Sequence, residues 1–153
     1  MSSNNTPKSI FLIGRPKARE GLAGAAGILP GMLVEGIPAG GEVVVHATAG
    51  GVGTPAFARP NEVIGHGIDV AYADNDTVLY GISSPGDVVY GYIADGEVVT
   101  AGDYLQSDGA GAFEALVAGV PGTTLPGIAL VKALETIDNS AGGAIARMKL
   151  EVI

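Results

Sequence analysis

Residues 84–106, SPGDVVYGYIADGEVVTAGDYLQ, alternate between turn chemistry and short apolar runs. Gly-Asp and Asp-Gly pairs bracket brief runs of Val, Tyr and Ile, and β-formers bounded by turn residues in this way read as consecutive short strands. Nothing in the stretch is equipped for chemistry. It describes a chain built to be a surface, and it predicts an all-β body.

The pattern extends in both directions. Residues 32–34 and 42–47 read as strands joined by a hairpin loop at 38–41 that carries Gly40 and Gly41. Further strands are expected at 77–80, 88–94, 97–99, 104–106 and 113–116, with polar turns at 73–77 and 107–111. Val63 and Ile64 could begin another strand. Residues 21–31, GLAGAAGILPG, are too glycine-rich for a helix, since each Gly costs about 1 kcal/mol against Ala, and read as a linker or close-packed turn. Residues 48–60 read as a loop anchored by Phe57.

The cleanest periodicity lies at the C-terminus. In AIARMKLEVI, Ala144, Ala146, Met148, Leu150 and Val152 fall on one face, and Arg147, Lys149 and Glu151 on the other. A period of two marks a half-buried strand with one wet face. Residues 127–137 are expected to pair with it across a turn at 138–143. Two such terminal strands can close a small barrel or sandwich.

A length of 153 residues fits one domain. Of its apolar residues 22 are Ala, and 25 further residues are Gly, so the core is expected to be thin. Small side chains remove little area from water at roughly 25 cal/mol per Å², and glycine loses the most backbone entropy on ordering. Such a body gains from burial against copies of itself or a larger assembly. There is no Cys, which excludes disulfides and thiolate metal sites. The apolar run at residues 10–14 is too short for a signal peptide or a membrane span, so a soluble protein made in the cytoplasm is expected.

Charge is unevenly spread. Residues 1–20 hold Lys8, Arg15, Lys17 and Arg19 against Glu20, a sum of 4 − 1 = +3, while residues 21–153 hold 4 basic and 15 acidic side chains, a sum of −11. An acidic body repels nucleic acid, whose binding depends on phosphate neutralisation. The basic segment suits attachment to an acidic protein surface. Residues 1–20 are therefore read as a flexible basic arm, and 21–153 as a single β-rich domain. Within the arm, the apolar residues Ile10, Phe11, Leu12 and Ile13 could add as a strand to another chain's sheet edge or form the first strand of the protein's own sheet.

Catalytic inventories are sparse. His46 and His66 are the only histidines, and neither they nor Asp69, Asp74, Asp76 and Asp87 follow the spacing of a zinc or calcium site. The glycine run at 50–55 lacks the Lys-Ser/Thr ending and the helix of a phosphate loop. Ser83 and Ser84 have no nucleophile-elbow context. Residues 96–105 resemble half of a biotinyl or lipoyl carrier motif but lack the acceptor lysine. No catalytic residue, metal or cofactor is expected.

The order of features resembles that of the small head-decoration, or cement, proteins of tailed bacteriophages. The residues that carry the resemblance are the Gly/Ala-rich segment 21–34, the loop TPAFARP at 54–60 leading into NEVIGHGID at 61–69, and residues 80–116 with their PGDVV and GDYLQSDG elements. The resemblance covers about two thirds of the chain. It implies a small β-barrel or barrel-like sandwich of the β-tulip kind with an extended N-terminal arm. It further implies a homotrimer on the outer capsid surface of the virion that bridges major capsid protein subunits without catalysis. On this view Lys8, Ile10, Phe11, Leu12, Ile13, Arg15, Lys17 and Arg19 bind the capsid, with no role for nucleic acid or membrane. The alternatives are a phage tail or fibre-associated protein, or a β-barrel carrier or enzyme.

Overall fold

The structure is a computed structural model that describes residues 6–153. The strands are β1 (Phe11–Ile13), β2 (Lys17–Ala23), β3 (Val34–Ile37), β4 (Glu42–Val45), β5 (Ala56–Ala58), β6 (Thr77–Ile82), β7 (Val88–Ile93), β8 (Val98–Val99), β9 (Tyr104–Ser107), β10 (Phe113–Ala115), β11 (Val131–Ala133), β12 (Ile137–Asp138) and β13 (Ala146–Val152). Among the described residues the one helical element is a short 3-10 turn at Glu62–Ile64, and no helix is long and apolar enough to cross a membrane. The fold is all-β and barrel-like.

The barrel runs β7–β10–β9–β11–β13 and closes where β13 returns to β7. The alternation at the C-terminus drives closure: Met148, Leu150 and Val152 are buried inside with Val89, Ile93, Leu105, Phe113 and Val131. Gly91 of β7 sits opposite Met148, and a Cβ there would lie 2.8 Å from Leu150 Cδ1. Its missing side chain makes room for Leu150. One edge of β7 is shared, since β1 pairs with Val88 and Val89 while β10 pairs with Ile93.

A second sheet runs β3–β4–β2–β6–β5, and a bridge between Leu33 and Phe57 brings its two ends together. The sequence of β5 is Ala-Phe-Ala, and strand alternation divides it between two cores. Ala56 and Ala58 pack with Val34, Val43 and Val78 inside the second sheet, whereas Phe57 points the other way toward Phe113, ring centroids 6.1 Å apart. Small residues on one side and a large one on the other let this three-residue strand join the two sheets.

Several expectations change. The segment expected to be a free arm is part of the body from Ile10 onward: β1 pairs with β7, and β2 pairs with β6 over six residues and with β4 at Leu22 and Ala23. The expected boundary after residue 20 falls inside β2. Residues 1–5 of that arm lie outside the described residues. Residues 21–31 are correspondingly a strand end followed by bends, and the 48–60 loop contains β5. Val63 and Ile64 are exposed on the 3-10 turn, not in a strand. Arg147, expected on a wet face, is covered: its side chain is 11% exposed.

Candidate docking face

The expected binding residues separate by burial. Ile10 is buried in the barrel core, and its carbonyl accepts the Tyr90 N–H at 2.7 Å. Phe11 and Leu12 are half-buried. The Phe11 ring lies over Gly81, where a Cβ would come within 2.8 Å of Phe11 Cζ. These residues hold the N-terminal segment to its own body. Ile13 is exposed, as are Lys8, Arg15, Lys17 and Arg19.

Lys17 and Arg19 gain a defined setting from β2. Strand periodicity puts both on one face, opposite Ile82 and Tyr80 of β6. Tyr80 and Ile82, with Val34, Glu35 and Ala56, line a groove of about 310 Å³. Pairing between β2 and β4 begins only at Leu22, so among the described residues no strand pairs with the second edge of residues 17–20. An open edge is a template for another strand, and cationic side chains on it select against a second copy of the same edge.

None of the three ion pairs among the described residues uses these cations. Those pairs are Lys132–Glu151, Arg147–Asp69 and Lys149–Glu135, at 3.5, 3.5 and 3.8 Å. Three of the four basic residues after position 20 are thus engaged, and Lys8, Arg15, Lys17 and Arg19 lie outside the ion pairs. The combination of free backbone, two cations on one face and an adjoining groove can take an extended acidic segment. No protein-family model and no curated protein matches the chain. The reading of this face therefore rests on its geometry and charge.

A serine and a histidine do meet, but inside the protein. His46 Nδ1 lies 2.7 Å from Ser107 Oγ, and His46 Nε2 lies 2.9 Å from the Val52 carbonyl. A carbonyl only accepts, so Nε2 donates to it and Nδ1 accepts from the hydroxyl. Ser107 Oγ in turn accepts the Gly109 N–H at 3.1 Å. Both side chains are buried, so the hydroxyl is closed to substrate and the pair fastens the loop after β4 to the end of β9. Among the described residues no three His, Asp or Glu side chains converge as a metal site would require.

Sequence reasoning missed the segment between β10 and β11. Residues 115–131 form the longest stretch without a charged side chain, 17 residues between Glu114 and Lys132. Val117, Val120, Leu125 and Ile128 are exposed on it, Leu125 at 88%. The signal was present in the charge gaps, but residues 117–126 show no strand alternation and so carry no assignment from sequence.

Proposed function

We propose that this protein is a non-enzymatic phage structural protein, a decoration or cement protein that binds the outer surface of an expanded capsid and bridges major capsid protein subunits. The observation that carries the reading is the open edge of β2, where Lys17 and Arg19 stand outside the ion pairs beside a groove of mixed polar and apolar lining on an otherwise acidic body. The resemblance of residues 21–34, 54–69 and 80–116 to phage decoration proteins supports the same reading. Strand addition supplies backbone hydrogen bonds, and the cations supply selectivity for an acidic partner. Association as a homotrimer multiplies modest contacts through avidity. The burial of the Ser107–His46 pair is consistent with a role that needs no nucleophile.

The test is co-sedimentation of the full-length protein with expanded capsids stripped of accessory proteins, at low and high salt. Pelleting with shells that weakens as salt screens the contacts is the expected result. Absence of binding at every salt concentration would overturn the reading.

A further inference from the structure

Each copy of the chain carries a net charge of −8, so two copies repel wherever their acidic faces meet. That repulsion is least at residues 115–131, which hold no charged side chain. Interface cores are depleted of charge in the same way. The segment also displays Val117, Val120, Leu125 and Ile128 to solvent, whereas connecting segments are ordinarily polar.

The segment is held in shape. At its base the buried Gln106 accepts the Val117 N–H at 2.9 Å through Oε1 and donates to Glu114 at 2.7 Å through Nε2. Gly127 N–H reaches the Val117 carbonyl and Ile128 N–H the Gly50 carbonyl, both at 3.0 Å. The tip turns at Pro121-Gly122, where Gly122 has φ of 77° and the Val120 carbonyl accepts N–H groups from Thr123 and Thr124. A finger fixed in this way loses little entropy on association. Beside it, residues 48–51 and 124–128 border a groove of about 500 Å³ that Gln106 and Glu114 also line.

We propose that this finger and groove are the surface through which copies of the chain associate, the finger of one copy covering the groove of its neighbour. The inference builds on the reading of the protein as an oligomeric assembly component and names the face that makes the oligomer. The 15 residues between β10 and β11 and the 4 across the groove approach the roughly 20–30 residues that each side gives to a stable interface. Like-charged copies meet best at a face of low charge that offers both an apolar projection and a recess, and here the one carboxylate, Glu114, already accepts a hydrogen bond from Gln106, which favours a second copy as occupant.

Sedimentation equilibrium of the full chain, without capsids, over micromolar to near-millimolar concentrations tests this. Wild type is expected to associate, and Leu125→Asp and Val120→Asp to weaken association by about tenfold or more. Val63→Asp, an equally exposed position on the 3-10 turn, is the control and is expected to associate as wild type does. Circular dichroism verifies that each variant is folded. A monomeric wild type, undiminished association of both finger variants, or equal loss in the control would overturn the proposal. Shell binding by a monomeric wild type would overturn this inference alone, and association without shell binding would overturn only the docking reading.

Discussion

The guanidinium carbon of Arg147 lies 4.4 Å from the ring centroid of Tyr92, its cross-strand neighbour on the outer face of the barrel, and 5.6 Å from that of Tyr90. The same guanidinium donates to the Pro30 carbonyl at 2.9 Å and to the Ile68 carbonyl. Pro30 belongs to the connection from β2 to β3 and Ile68 to that from β5 to β6, both between strands of the second sheet. Arg147 therefore clamps both against the barrel wall, with the two tyrosines as its backing.

Arg147→Met should destabilise the fold by about 2–4 kcal/mol, because it removes the stacking and leaves two covered carbonyls without donors. Arg147→Lys should recover only part of this, since an ammonium cannot stack and span both carbonyls as a planar fork does. Asp69→Asn should have little effect, as the carboxylate is largely exposed and 3.5 Å away. Urea denaturation of the three variants measures the order.

Ser107→Ala should cost about 1–3 kcal/mol, since it leaves His46 Nδ1 and the Gly109 N–H unsatisfied in a buried setting. Shell binding by the folded variant should be unchanged. Loss of binding with full stability would instead give this pair a functional role.

Burial holds the Tyr72, Tyr90 and Tyr92 hydroxyls above the ordinary value of 10.0, with Arg147 acting in the opposite direction on the latter two. As pH rises past 10 the unfolded chain releases these protons first, so the stability they contribute is complete below that pH and is lost as pH climbs toward the folded values. Tyrosinate absorbance followed together with far-ultraviolet circular dichroism should show these three ionising above pH 10 as the fold is lost. Ionisation of all five tyrosines near pH 10 with the fold intact would contradict this.

Legibility in the sequence followed from how local each signal was. The alternation at β13 and the turn between β3 and β4 could be read directly, because strand period and turn glycine lie within a few residues, although β3 spans 34–37 and not the expected 32–34. β2 could not: KAREGLA has poor strand composition and is strand because Thr77–Ile82 pairs along it. Pairing of β1 with β7 likewise turned Ile10 and Phe11 from candidate partner contacts into core and cover. In Arg147 a residue on the expected wet face was covered by connections 79 and 117 positions away in sequence, which no periodicity encodes. Lys17 and Arg19 were identifiable by charge alone, but the free edge and groove beside them emerged only with the register.

The docking claim is tested most directly by capsid co-sedimentation of Lys17→Glu/Arg19→Glu beside wild type over a salt series. Charge reversal is preferable to deleting residues 1–20, which would remove β1 and most of β2 and so compromise both sheets. Both positions are exposed, so the double variant should keep its stability to within about 0.5 kcal/mol per site. The account predicts that wild type pellets with shells in a salt-sensitive manner and that the folded double variant stays in the supernatant. Equal pelleting of the two proteins at every salt concentration would contradict it.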